Sequence, residues 1–134
     1  MKKRGKKVIL ESPFNPTNGF SLQQNINYGR ACMHDCFLRG EYPLASHLLY
    51  TQKGILDDRI LEERNLGIEA GLVWGEHAEY TVAYIDLGIS NGMKYGIQNA
   101  INNRRLVEVR NIEDQILKNL GFVKKGDLWI PKNI

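Results

Sequence analysis

The chain has 134 residues, 43% hydrophobic and 25% charged, which is material for one globular domain with a real core and too little for two. No apolar run approaches the ~20 residues that span a bilayer, so no membrane-spanning helix and no membrane partner are expected. The net charge is +3, and five of the basic residues fall in the first seven positions. The rest is close to neutral, and no helix-turn-helix signature, basic helix or aromatic-studded basic strand accompanies the tail. Nucleic acid is therefore not expected as a partner.

The basic start passes through Val8-Ile9-Leu10 to Glu11, too short an apolar stretch for a signal peptide, so a cytoplasmic location is expected. Residues Lys6 to Ser12 read as a first strand, ended by Ser12-Pro13. Asn15-Pro16-Thr17-Asn18-Gly19 is a loop dense in turn residues. Ser21 caps a helix running to about Arg39, with Leu22, Ile26, Ala31, Cys32, Cys36 and Phe37 available to an inner face and Gly40 as its stop. Cys32 and Cys36 share a helix face, which predicts two buried reduced thiols. No second Cys/His pair follows at zinc-ligand spacing, so neither a metal nor any other cofactor is expected.

Tyr42 to Leu49 is read as a second strand, short and interrupted by Pro43. After a polar loop from Thr51 to Arg59, Asp57 or Asp58 starts a helix from about Ile60 to Ala78. Its Gly67, Gly71 and Gly75 recur every four residues on one face. Each glycine costs about 1 kcal/mol against alanine, which predicts close approach of another helix or of the sheet. Tyr80 to Ile85 is a buried-strand run. It changes character at Asp86-Leu87-Gly88 and enters a helix at Ser90. Leu106 to Arg110 is a fourth strand, Glu113 to Leu120 a fourth helix, and Phe122 to Pro131 a hairpin about Lys125-Gly126-Asp127.

Strands alternating with helices predict an α/β fold: a small doubly wound, mainly parallel sheet of four or five strands, with a short C-terminal helix and hairpin. The expected division is a basic tail at 1–6, the α/β domain at 7–111 and the helix-and-hairpin extension at 112–134.

Open parallel sheets bind ligands at the carboxyl ends of their strands, where loops lead into helix N-termini with unpaired N–H groups. Three loops should gather there, and they supply the candidate ligand-binding residues. The first loop offers Ser12, Pro13 and Phe14. The second offers Ser46, His47 and Tyr50. The third offers Asp86, Gly88, Ser90, Asn91, Gly92 and Met93. Hydroxyls, amides, an imidazole, a strand-end carboxylate and aromatic faces suit a nucleoside: aromatics stack on a base, while Asp and Asn bond ribose hydroxyls. Duller roles stand beside these. Asp86 could simply bond loop amides, His47 could be a structural histidine, and Ser90 could be an ordinary N-cap. No Ser/His/Asp triad, P-loop or Rossmann glycine motif is present.

Leu10-Glu11-Ser12-Pro13-Phe14, Ala45-Ser46-His47-Leu48-Leu49-Tyr50-Thr51-Gln52, Leu56-Asp57-Asp58, Glu62-Glu63-Arg64-Asn65-Leu66-Gly67 and Asp86-Leu87-Gly88-Ile89-Ser90-Asn91-Gly92-Met93 occur in this order. In that order the chain resembles small uncharacterised phage and bacterial proteins. Those proteins are similar to the nucleoside 2-deoxyribosyltransferases and the 2′-deoxynucleoside 5′-phosphate N-hydrolases. The resemblance covers roughly Lys7 to Arg110. It implies a nucleoside or nucleotide ligand, a homo-oligomer whose neighbouring subunits complete the pocket, and host cytoplasm for a phage-encoded chain. It also implies two catalytic carboxylates: a nucleophile beneath the anomeric carbon and an acid/base for the nucleobase. Their positions fall on Gly96 and Asn65, and neither residue can do that work. No Glu or Asp lies between Asp86 and Glu108 to replace the nucleophile. The preferred expectation is a nucleotide-binding protein with a degenerate pocket and no catalytic residue, for example one that sequesters a nucleotide signal of bacterial defence. The alternative is an N-glycosidic hydrolase or transferase using other groups, such as Asp86 with His47, or Glu69. What separates the two is whether any carboxylate reaches the sugar side of the pocket.

Overall fold

The computed structural model describes residues 5–132. Strands β1 (Lys6–Glu11), β2 (Glu41–Leu44), β3 (Tyr80–Tyr84) and β4 (Leu106–Arg110) form one parallel sheet in the order β2-β1-β3-β4. Helix α1 (Leu22–Leu38) joins β1 to β2. A short helix α2 (Ser46–Leu49) and a longer α3 (Leu61–Gly75) lead to β3, and α4 (Asn91–Asn102) joins β3 to β4. Helix α5 (Asp114–Asn119) and the antiparallel hairpin of β5 (Phe122–Lys125) and β6 (Leu128–Pro131) complete the chain. The expected α/β architecture is thus present, with four parallel strands and a separate terminal hairpin. The first four positions of the basic tail lie outside the described residues, and Lys6 and Lys7 already belong to β1.

Strand alternation divides the two faces of the sheet. Val8, Leu10, Val82 and Tyr84 point to the face where Tyr28, Cys32 and Cys36 of α1 pack. Thr81 points to the other face, where Arg105 bonds its hydroxyl (2.9 Å), Asn99 of α4 (3.3 Å) and the Gly75 carbonyl of α3 (2.9 Å). Both cysteines are free and buried. Helix α1 begins in a capping box: Ser21 accepts from the Gln24 N–H (3.1 Å) and the Gln24 side chain accepts from the Ser21 N–H (2.8 Å). Its stop, Gly40, has φ +78°, a conformation that glycine adopts without a Cβ penalty.

Two expectations need correction. The second strand does not run to Leu49: it ends at Leu44, and Ser46–Leu49 is helical. Pro43 donates nothing to a ladder and is tolerated because β2 is an edge strand. Beyond it the Ala45 carbonyl accepts from both Leu48 and Leu49 (3.0 Å each), which turns the chain over the sheet edge. The next helix starts at Leu61, not at Asp57 or Asp58, and ends at Gly75. Asp57 is instead committed locally, accepting from the Arg59 N–H (3.0 Å) and its guanidinium.

The C-terminal extension shares the main core. Leu117, Phe122 and Trp129 belong to the cluster that holds Val8, Leu10 and Tyr28, and Phe20 meets Phe122 edge-on with ring centroids 4.9 Å apart. Removing Trp129, which is 4% exposed, should therefore destabilise the whole domain. Trp129→Ala is expected to cost about 3–5 kcal/mol in denaturant unfolding, in one transition. A separate early transition of the hairpin would contradict a shared core.

Candidate functional site

The carboxyl end of β1 delivers Ser12 to the start of α2. Its hydroxyl lies 2.7 Å from His47 Nε2. Gly29 of α1 makes room: a Cβ there would stand 3.2 Å from Ser12 Oγ and 3.0 Å from Leu48 Cδ1. The Phe14 and His47 rings stand nearly perpendicular, with centroids 6.3 Å apart. Buried Asn25 of α1 holds that loop in place, donating to the carbonyls of Phe14 (3.1 Å) and Asn15 (3.2 Å). His47 keeps some exposure but is enclosed by protein, and desolvation pushes its pKa down to about 4. It is a neutral imidazole at pH 7, able to hold a hydrogen bond but not an anion's charge. Ser12 itself is 4% exposed, so this bond is an internal strut of the site.

Beside it a cleft of about 70 Å³ opens between α2 and α3. Ser46, His47, Tyr50 and Thr51 line one side, Leu56 and Asp58 the end, and Glu63, Arg64, Gly67 and Ile68 the other. The glycine stripe of α3 is what permits this approach. A Cβ at 71 would lie 2.9 Å from Ser46 Cβ, one at 67 would meet Leu56 Cδ1 at 3.4 Å, and one at 75 would meet Arg105 at 3.4 Å. The expected close approach therefore lies within the chain, and the glycine face is covered. Asn65 and Glu69 are exposed on α3 and are not among the cleft residues.

The third loop stands apart from this cleft. Asp86 is 3% exposed and its carboxylate is engaged: Oδ2 accepts from the Tyr28 hydroxyl (2.7 Å) and from the Ile112 N–H (3.1 Å). Burial raises its pKa, partly offset by those two bonds. Gly88 takes φ +93° and turns the chain towards α4. Ser90 caps α4, accepting from the Met93 N–H (3.2 Å), and Met93 is buried. Asn91 and Gly92 are exposed at the helix start. Pro13, in the first loop, is fully buried. Of the candidates from sequence, Ser46, His47 and Tyr50 share the cleft, Ser12 and Phe14 adjoin it through His47, and Asp86 to Met93 form a neighbouring group at the same sheet edge.

The chain segment 6–110 matches a family described as a domain of unknown function, DUF7768. The chain belongs to that family. The matched region ends with β4, so it contains the whole parallel sheet and all three loops and excludes α5 and the hairpin. No curated protein matches the chain.

Within the DUF7768 region one residue was missed from sequence. Glu11 closes β1, and its side chain reaches α4 at Gly96. A Cβ at position 96 would overlap the Glu11 carboxyl, falling 2.5 Å from its carbon. Among the described residues nothing donates a hydrogen bond to this carboxyl. Desolvation raises its pKa to about 8, against a weaker opposing pull from Arg105. Part of Glu11 remains open to solvent. The available signal was a carboxylate directly after the apolar run Val8-Ile9-Leu10 and immediately before Ser12-Pro13.

The raised pKa has a measurable sign. Protonated Glu11 is compatible with the fold and ionised Glu11 opposes it. Its contribution is therefore intact below the unfolded value near 4.5 and is lost as pH rises through about 8. Glu11→Gln should melt near the wild-type temperature at pH 5 and above it at pH 9. Equal differences at both pH values would show that Glu11 is not desolvated.

Proposed function

We propose that this protein binds a nucleoside or nucleotide at the carboxyl edge of its sheet. The observation that supports this most is where the segments resembling the deoxyribosyltransferase group converge. The cleft is lined from Ala45–Gln52, Leu56–Asp58 and Glu62–Gly67, with Ile68 as the one residue from outside them. Ser12 of the first segment is bonded to His47, and the fifth segment opens α4 at the same sheet edge, apart from the cleft. The sheet order reverses between β1 and β3, the usual crevice position in doubly wound folds. Tyr50 offers an aromatic face to a base, and Arg64 or the α4 N-terminus offers positive potential to a phosphate.

About 70 Å³ is well below the roughly 300 Å³ at which small-molecule pockets begin. A ligand would be seated only in part by one chain, and a second copy would close over the remainder. The outer surface of α3 supports such an assembly: Leu61, Leu66, Val73 and Trp74 are 71%, 55%, 52% and 56% exposed. Exposed large apolar side chains gathered along one helix are the kind of surface that a protein contact covers. We therefore also propose a homo-oligomer. Light scattering after gel filtration should give a dimer or larger, and Trp74→Glu should shift it towards monomer. A wild-type monomer at high concentration would overturn this.

Asn65 and Gly96 supply no carboxylate, which supports retention of the ligand, as in sequestering a nucleotide signal. Binding itself is tested by denaturing the purified protein and identifying released small molecules by mass spectrometry. Calorimetry with nucleosides, deoxynucleotides and cyclic or ADP-ribose-type nucleotides complements this. One ligand class is expected to bind, and His47→Ala should weaken it about tenfold or more by loosening the Ser12–His47–Phe14 corner. No binding across the panel would overturn the reading.

A further inference from the structure

We propose that the outer edge of β4 is a self-association site: β4 of a second copy pairs with it antiparallel across a two-fold axis, joining two four-stranded sheets into one of eight strands. This contact is separate from the outer surface of α3 and does not depend on the ligand reading.

Three observations carry it. The first is the direction of the backbone groups. The Arg110 carbonyl accepts from the Ile85 N–H on the β3 side (3.0 Å). In a strand, the N–H and C=O of one residue point to the same side and those of the next residue to the other. Leu106, Glu108 and Arg110 therefore turn their backbone groups to β3. Val107 and Val109 turn theirs outward, where nothing bonds them among the described residues.

The second is that, of the edge strands described, β4 alone lacks a guard. Exposed edges are normally blunted by proline, lysine or a covering element. Strand β2 carries Pro43, β6 ends in Pro131, and β5 carries Lys124 and Lys125. On β4, Leu106 and Val109 are 71% and 57% exposed. Its charged residues do not guard it: Arg110 is buried, and Glu108 is bonded to Arg110 (2.9 Å).

The third is charge. Arg104, just before β4, is exposed and forms no ion pair among the described residues. It also holds φ +57°, a helix-stop conformation that favours glycine. Just past the other end of β4 stand exposed Glu113 and Asp114, the latter 3.6 Å from Lys124. Antiparallel pairing brings the basic end of one β4 to the acidic end of the other, whereas parallel pairing would set like beside like.

These features name a second copy of this chain as the occupant. A two-fold axis presents the same edge to itself, so outward backbone groups, apolar side chains and opposite charges are matched together. The outer edges that remain are the β2 edges with Pro43, so the sheet closes at two copies and does not grow. Because only Val107 and Val109 offer outward groups, the register that uses all of them sets Val107 opposite Val109 of the copy. Each such pair exchanges both of its N–H···O bonds. Glu108 then faces Glu108 of the copy at a non-hydrogen-bonded position, with Cα atoms about 4.5 Å apart and each carboxylate beside its own Arg110.

The test is light scattering after gel filtration, combined with oxidative crosslinking. Val109→Pro removes an outward N–H and leaves the bonds to β3 intact. Leu106→Lys adds a charge at an exposed position and should keep the wild-type melting transition, which separates lost association from lost folding. Either variant should halve the mass of the wild type. Either should also halve that of Trp74→Glu, because this contact does not use α3. Glu108→Cys should form a covalent dimer on oxidation, since its Cα spacing lies within the range of about 4.4–6.8 Å that disulfides take. The wild type should not, because Cys32 and Cys36 are buried. An unchanged mass in both Val109→Pro and Leu106→Lys would overturn the proposal, as would failure of oligomeric Glu108→Cys to crosslink. A wild-type monomer at high concentration, which would leave this edge to a strand of another protein, would overturn it as well.

Discussion

Asp86 Oδ2 accepts from the Tyr28 hydroxyl and the Ile112 N–H, the Asp86 N–H donates back to that hydroxyl (3.1 Å), and the Asp86 carbonyl accepts from Trp129 N–H (3.0 Å). Helix α1, the end of β3, the segment before α5 and the hairpin therefore meet on one residue. Both bonds to the carboxylate are buried, where a lost partner leaves a polar group stranded at about 1–3 kcal/mol. The terminal extension is locked to the sheet there, and the β3–α4 loop leaves the sheet at a set point. The placement of α4, and so of Gly96 against Glu11, depends on this junction.

A second buried network ties the opposite edges of the sheet. Arg110, at the end of β4, donates two bonds to Glu41 at the start of β2 (2.7 and 2.6 Å) and one to Glu108 (2.9 Å). Tyr80 also donates to Glu41, and Tyr84 donates to Asp35 of α1 (2.7 Å). A buried ion pair returns little net stability after desolvation. Its effect is selective: an arrangement that buries Arg110 or Glu41 alone would cost about 3–5 kcal/mol. The pair thus disfavours strand orders and registers other than β2-β1-β3-β4. Its place beneath α1, away from the cleft, fits a structural role.

Glu11 and Asp86 show how two carboxyls at one sheet edge can have opposite fates. Both are desolvated and both have raised pKa values. Asp86 is given donors and becomes part of the frame. Glu11 is given none, and its carboxyl occupies the space beside Gly96.

Much of the frame was legible in the sequence because it rests on local rules. The Ser21 capping box, the Gly40 stop, the Ser90 cap and the Leu106–Arg110 strand are set by neighbours three or four residues apart or by strand alternation. The second strand was misjudged because Ala45–Leu49 is apolar enough for either state. What decides it is the turn at Ala45, whose carbonyl accepts from Leu48 and Leu49, so that β2 leaves the sheet at Leu44 although its partner β1 continues from Ile9 to Glu11. The candidate site was legible as a set of loops but not as contacts. That Ser12 meets His47, that Asp86 is absorbed by Tyr28 and Ile112, and that Gly71 of α3 meets Ser46 of α2 all depend on pairings 25 to 58 residues apart. The substitution at Gly96 read as the loss of a catalytic group because a sequence shows which side chain is missing from its own position. Only the tertiary structure shows that the vacated volume is filled, because β1 and α4 are brought together by the sheet and not by the chain.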